Sequence, residues 1–63
     1  MYVFMLTVRA SMPYEEPEAE VVELLFNESD AEKRQQEIRR DLELRYPSEY
    51  FNYFNSIECM QVK

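Results

Sequence analysis

A run of five glutamates near the start of the chain has the residue types and spacing that could do chemistry. The run comprises Glu15, Glu16, Glu18, Glu20 and Glu23. Carboxylates bind Ca²⁺, but specific loops of that kind alternate Asp and Asn around a central Gly, and this chain has no Gly. Paired carboxylates also serve in glycoside hydrolysis, which needs a cleft that holds the sugar. We therefore expect neither a metal site nor a catalytic pair in this run.

The spacing of these glutamates is more typical of binding. Alternate residues of a strand lie about 6.6–6.8 Å apart, so Glu18 and Glu20 on one strand would project at close to the interval between nucleic-acid phosphates. Such a row of carboxylates can mimic DNA and compete for a protein that binds nucleic acid. The simpler alternative is a solvated acidic loop and strand edge.

The single cysteine and the absence of histidine restrict catalysis further. A nucleophilic thiolate needs a nearby base or cation that lowers its pKa, and the chain has no His. Cys59 lies between Ile57 and Met60, a position that predicts a small core residue. One cysteine forms no internal disulfide, and without Gly neither common phosphate-binding loop can form. The sequence predicts a protein that is not an enzyme and that needs no cofactor or metal.

Length and charge restrict the partners of the chain. Its 63 residues allow one small domain, spanning residues 1–63, with a modest core. Thirteen acidic and seven basic residues give a net charge of −6, which repels nucleic acid and attracts a basic protein surface. The apolar segment Tyr2–Val8 is too short to cross a bilayer. We expect a cytoplasmic protein that binds another protein, with no direct contact to nucleic acid or membrane.

Three segments predict strands. Tyr2–Arg9 is rich in β-branched and aromatic residues and is apolar on both faces, which is typical of a central strand. Glu18–Phe26 fits either a strand or a helix that begins after Pro17. We favour the strand, because it pairs with the first strand and because no Gly ends the run. Tyr53–Val62 predicts the third strand.

A helix between the second and third strands is the clearest element. Ser29 and Glu32 form a capping box, and the helix should end near Arg45 because Pro47 restricts the residue before it. Leu44 falls on the charged side of this helix. Helical spacing places one narrow stripe towards the sheet, formed by Ala31, Gln35, Ile38, Leu42 and Tyr46.

The order of these elements predicts an α+β domain: a three-stranded, mostly antiparallel sheet with one helix on one face, in the order β-β-α-β. A β-α-α-β arrangement is the alternative. One helix covers one face of the sheet, and the sequence leaves both faces of the first strand open to it. If Tyr2, Phe4, Leu6 and Val8 meet the helix, then Val3 and Met5, with neighbours such as Val21 and Leu25, lie on the uncovered face. An exposed apolar sheet face indicates an interface, where either a second copy or another protein docks. Strand addition at a sheet edge is a third route.

The aromatic run at residues 50–54 is a further candidate contact. Tyr50, Phe51 and Tyr53 lie in this run, and five consecutive positions cannot all point inward. Tyr and Phe are frequent in binding hot spots because their rings are large and rigid. The run therefore predicts either core packing alone or core packing combined with contact to a partner.

In size, acidity and lack of catalytic groups, the chain is similar to the small single-domain proteins that bacteriophages use to inhibit host enzymes. This resemblance implies a binding protein that occludes the working surface of its target. From the residues, the partner-binding candidates are the five glutamates, Tyr50, Phe51, Tyr53, Val3 and Met5. The alternative is a structural subunit that forms a homodimer through its open sheet face.

Overall fold

Three strands and one helix make up the part of the chain that the structure, a computed structural model, describes, namely residues 1–14 and 17–62. The elements are β1 (Tyr2–Ser11), β2 (Pro17–Leu25), α1 (Glu28–Arg45) and β3 (Asn52–Gln61). The sheet order is β2-β1-β3, and both pairings are antiparallel. The predicted α+β fold in the order β-β-α-β is confirmed. Because β2 is a strand, the alternative with two consecutive helices is excluded.

The central position of β1 follows from its apolar residues. Leu6 and Val8 project towards α1 and are fully buried, and Ala10 near the end of the strand is fully buried too. A strand with a neighbour on each side is shielded from water on both faces by the side chains around it, so it can carry apolar residues on both. The prediction that this segment lies between the other two strands is confirmed.

The helix begins two residues before the capping box predicted from the sequence. Asn27 is the N-cap: it has extended backbone angles, and its side-chain oxygen accepts the backbone N–H of Asp30 at 3.2 Å. The predicted N-cap, Ser29, lies inside the first turn instead. Asn and Ser are similarly good caps, and the helix uses the one that lies closer to the end of β2 at Leu25. The C-terminus agrees with the prediction, since the helix ends at Arg45 and Tyr46 caps it.

The core between α1 and the sheet is small. Ala31 and Ile38 of the helix are buried against Leu6 and Val8 of β1. Partly buried apolar side chains surround this cluster, namely Phe4, Val21, Leu25, Leu42, Tyr53 and Ile57. Leu44 is 85% exposed on the far side of the helix, as its position in the helical pattern predicts.

A polar contact fixes the helix over the junction of two strands. The side-chain amide of Gln35 donates to the carbonyl oxygen of Thr7 at 3.3 Å and to that of Ser56 at 2.9 Å. Thr7 and Ser56 lie opposite each other on β1 and β3. Gln35 therefore adds a directional contact to the apolar stripe in which it lies.

The pairing register corrects one prediction about the faces of the sheet. Val21 lies opposite Val8, and Leu25 lies opposite Phe4, so both share the face that α1 covers. The expectation that they lie beside Val3 and Met5 on the uncovered face is therefore wrong. A shift of one residue in register exchanges the two faces of a strand, and the sequence of β2 is apolar enough on both faces to allow either.

Candidate functional site

The face of the sheet opposite α1, called the open face here, has no covering element among the described residues. Pairing and strand alternation place eleven side chains on it. They are Val3, Met5, Thr7 and Arg9 of β1, Glu20, Val22 and Leu24 of β2, and Phe54, Ser56, Glu58 and Met60 of β3.

The apolar part of the open face is carried by the two edge strands. Val22, Leu24, Phe54 and Met60 are each between 36% and 60% exposed. Leu24 lies opposite Met5, and Val22 lies opposite Thr7. Apolar side chains held on a rigid sheet form a contact surface that loses little conformational entropy on binding. This geometry suits contact with a macromolecule.

The two predicted residues of β1 lie on this face but contribute little of its exposed surface. Val3 is only 7% exposed, and Met5 is partly buried. Met60 lies opposite Val3, and Leu24 and Glu58 flank Met5. Neighbouring side chains on the edge strands therefore shield the central strand. Both residues thus lie on the open face, whereas its accessible apolar atoms belong to β2 and β3.

At one end of the open face, a row of three side chains crosses all three strands: Glu20 of β2, Arg9 of β1 and Phe54 of β3. Arg9 of β1 donates from Nε to Glu20 Oε2 at 2.7 Å. On its other side, the Arg9 guanidinium lies 5.4 Å from the centroid of the Phe54 ring. A cation over an aromatic face is attracted by the ring quadrupole. Arg9 is thus held between β2 and β3, and its charge is already matched by one carboxylate.

The predicted acidic row does not stay together. Glu20 lies on the open face, whereas Glu23 lies opposite Leu6 and reaches α1 on the other face. The register shifts where Ser11 pairs with Pro17 and Ala10 with Ala19, so Glu18 is an extra, exposed residue at an irregularity. The regular alternation that would place Glu18 and Glu20 in one row is interrupted there. Glu15 and Glu16 lie outside the described residues.

Glu23 has a structural partner. Its carboxylate accepts from Arg34 Nε and Nη2, with two contacts of 3.0 Å, and Arg34 also donates to Glu37 at 3.3 Å. The hydrogen bonds from Arg34 hold the pKa of Glu23 below its ordinary value, against a smaller opposing effect of desolvation. A carboxylate that is held in this way by its own helix is not free to attract a partner.

The aromatic run divides between core and surface. Tyr50 is exposed, while Phe51 packs edge-on against Tyr46 with ring centroids 5.1 Å apart. Tyr53 packs against the core, donates its hydroxyl to the carbonyl of Tyr46, and lies under the Arg39 guanidinium. Burial is the main cause that raises the pKa of Tyr53. Phe51 and Tyr53 therefore close the end of the domain near the C-terminus of α1.

Cys59 is exposed, which corrects the prediction that it lies in the core. Its segment is apolar, but α1 packs chiefly over β1 and β2 and makes few contacts with β3. Cys59 lines a shallow apolar groove of about 620 Å³ beyond the N-terminus of the helix. The other residues that line the groove are Met1, Tyr2, Phe4, Phe26 and Glu28.

The four exposed apolar residues of the open face were not among the candidate contact residues predicted from the sequence. Val22, Leu24, Phe54 and Met60 alternate on their strands, so the pattern of each strand contained the signal. What was lacking was the register that aligns each strand with Val3 and Met5. The register of a strand depends partly on the geometry of its connections, which local alternation does not encode.

Comparisons with protein-family models, with curated proteins and with solved structures give no match to this chain. Over residues 1–14 and 17–62, no three potential ligands among Cys, Asp and Glu come together in a way that could hold a metal ion. In the same part of the chain, no helix has the length and apolar character needed to span a bilayer. The geometry of the open face is therefore the basis for a functional conclusion.

Proposed function

We propose that this chain is a non-enzymatic protein-binding module that docks its open face on a basic surface of another protein. The observation that carries the proposal is the composition of that face: exposed apolar side chains next to an excess of acid. Docking would occlude the working surface of the partner by steric contact, as an inhibitor does. A nucleic-acid-binding surface is a suitable target, because such surfaces are basic.

The charges of the open face favour a foreign partner over a second copy in face-to-face contact. The face carries two carboxylates, Glu20 and Glu58, and one cation, Arg9, which is already paired with Glu20. A second copy pressed against it would bring the same excess acid into a desolvated interface. A basic partner would instead supply the cation that Glu58 lacks, which aids both orientation and association rate.

The amount of exposed surface also supports a binding role. The chain exposes 4916 Å², whereas a monomer of its mass is expected to expose about 4300 Å². Its fully buried apolar side chains are few, so contact with a partner would add substantially to the burial.

We place this activity in the cytoplasm. The only cysteine of the chain is exposed and has no second cysteine in the chain to pair with. Free exposed thiols are typical of proteins in reducing compartments.

A comparison of three immobilised baits tests the proposal: the wild type, Leu24→Lys and Leu44→Lys. Both substitutions replace an exposed leucine and change the net charge equally, but only Leu24 lies on the open face. We expect the wild type and Leu44→Lys to retain a set of bacterial-lysate proteins that Leu24→Lys does not retain. High salt should release these proteins from both baits. If every retained protein binds all three baits equally, the open face is not the contact and the proposal is wrong.

A further inference from the structure

The free edge of β3 is unusually open to another strand. β3 pairs only with β1 among the described elements, and over Asn52–Gln61 it contains no Pro, Lys or Arg and a single charge, Glu58. Natural sheets protect their edges with charges, prolines, bulges or covering elements. The opposite edge, β2, has such protection in its register shift and its glutamates. Of the two edges, β3 is therefore the one suited to strand addition.

One hydrogen bond shows which backbone groups of β3 face outward. The N–H of Val62 donates to the carbonyl of Met1 at 2.9 Å, directly beyond the last pair of the ladder, Tyr2 with Gln61. In an antiparallel ladder, hydrogen-bonded pairs alternate with non-bonded pairs. Even-numbered residues of β3 therefore bond to β1, and odd-numbered residues direct both their N–H and C=O to the free edge. The outward set is Tyr53, Asn55, Ile57, Cys59 and Gln61.

We propose that two copies of this chain pair antiparallel through β3, about a two-fold axis at Ile57. In this register Ile57 faces Ile57 of the second copy, and Asn55 faces Cys59 of the second copy. Tyr53 faces Gln61 in the same way. Every outward N–H and C=O of the strand then has a partner, giving on the order of ten hydrogen bonds between the copies.

The side chains select this register over its neighbours. On the open face, Phe54 lies opposite Met60 of the second copy, and Ser56 lies opposite Glu58. An axis at Glu58 would instead oppose two identical carboxylates, and an axis at Ser56 would oppose Phe54 with Glu58. Cross-strand apolar pairs stabilise a sheet, and like charges directly opposite destabilise it.

The position of the helix leaves room for this assembly. α1 packs chiefly over β1 and β2, and Arg34 holds it to Glu23 on the far edge. Two copies related by the axis form a six-stranded sheet with both helices on one side, each displaced away from the junction. The two open faces become continuous on the other side, so this dimer leaves the proposed partner-binding surface free.

Because the core of one copy is small, pairing of two copies would also stabilise the fold. Domains of this size commonly need disulfides, a metal or oligomerisation in addition to their core. An internal disulfide is impossible with one cysteine, and the described residues offer no metal cluster. Strand pairing between copies supplies the missing contacts.

Amide hydrogen exchange, followed by NMR at low and high protein concentration, tests the pairing without any substitution. We expect the even-numbered amides of β3 to be protected at both concentrations. The odd-numbered amides, including those of Asn55 and Cys59, should exchange quickly at low concentration and at least tenfold more slowly at high concentration. A chain that stays monomeric at both concentrations, or a dimer whose odd-numbered amides exchange freely, would overturn the proposal.

Asn55→Pro removes one outward N–H, and proline is tolerated on an edge strand at such a position. Asn55→Ala is the matched control, because it keeps the amide. Light scattering should show that Asn55→Pro raises the dimer dissociation constant at least tenfold, while Asn55→Ala dimerises like the wild type. Equal dimerisation of a folded Asn55→Pro would contradict the edge pairing. If that variant does not fold, the exchange pattern of the wild type still tests whether the β3 edges pair.

A nitroxide on the native Cys59 tests the register. With the axis at Ile57, the two Cys59 Cα atoms lie about 14 Å apart, against about 8 Å for an axis at Glu58 and about 20 Å for one at Ser56. Dipolar electron paramagnetic resonance distinguishes these cases. A separation that fits another axis would overturn the Ile57 register. Failure of this dimer leaves the three-bait comparison unaffected, so the two proposals are tested separately.

Discussion

Glu23 of β2 and Arg34 of α1 form a forked ion pair that connects the edge of the sheet to the helix, with two contacts of 3.0 Å. The two residues are eleven positions apart in the chain, and the pair links α1 to β2 at one edge of the sheet. Glu23, which the sequence predicted to be a partner-binding residue, therefore has a structural role within the fold.

This pair predicts a pH dependence of stability. The pKa of Glu23 is lowered in the folded chain, chiefly by its hydrogen bonds from Arg34. Its stabilising effect is therefore present above the ordinary carboxyl pKa and is lost as the pH falls through the folded value. Thermal unfolding should show Glu23→Gln less stable than the wild type at pH 7, with a difference that shrinks in acid. Glu18→Gln, at an exposed position, is the control, and an equal shift in both variants would contradict this role.

Tyr53 predicts that stability falls as the pH rises, which is the opposite direction to the effect of Glu23. Burial, followed by the Glu43 charge, raises the pKa of its phenol, so the neutral hydroxyl is favoured in the folded chain. The corresponding stability is present below the unfolded tyrosine pKa and is lost as the pH rises through the folded value. Ultraviolet titration should show one phenol that ionises above the range of unfolded tyrosine and that disappears in Tyr53→Phe. Persistence of that late phenol in the variant would assign it to another tyrosine.

The helix start predicts unequal effects of two neighbouring substitutions. Asn27 caps the helix through its side-chain oxygen, so Asn27→Ala should lower the free energy of unfolding by about 1 kcal/mol. Ser29→Ala, inside the first turn, should leave it nearly unchanged. Urea unfolding of both variants measures the difference. A larger loss for Ser29→Ala would restore the capping box predicted from the sequence.

Two apolar residues of α1 provide a contrast between core and surface. Ile38 is buried in the core cluster, so Ile38→Ala should cost about 2–4 kcal/mol, most of the stability of a domain this small. Leu44→Ala should change the free energy of unfolding by less than about 0.5 kcal/mol, because Leu44 is exposed. Circular dichroism melts of the two variants measure this difference. A larger loss of stability for Leu44→Ala than for Ile38→Ala would show that the buried face of the helix is wrongly assigned.

The fold could be predicted because its signals are local. The apolar character of β1 on both faces predicts a central strand, and the helical spacing of Ala31 and Ile38 predicts both the helix and its buried side without long-range information. Pro47 similarly fixed the end of the helix through its effect on the preceding residue.

The surface could be predicted only in part, because it depends on pairing between elements. Val21 and Val22 have the same side chain. Val21 is covered by α1 only because the register of β2 places it opposite Val8. The contact of Glu23 with Arg34 likewise arises when α1 folds back on β2. The exposure of Cys59 depends on where the helix lies, which no property of β3 encodes.

The most direct test of the proposed function is the affinity of the three chains for the protein that the wild type captures most strongly. We predict that Leu24→Lys raises the dissociation constant at least tenfold, or about 1.4 kcal/mol, because a lysine then replaces an exposed apolar contact on the open face. Leu44→Lys should bind within twofold of the wild type. Binding of Leu24→Lys that equals the wild type, or equal weakening by both substitutions, would contradict the claim that this chain acts through its open face.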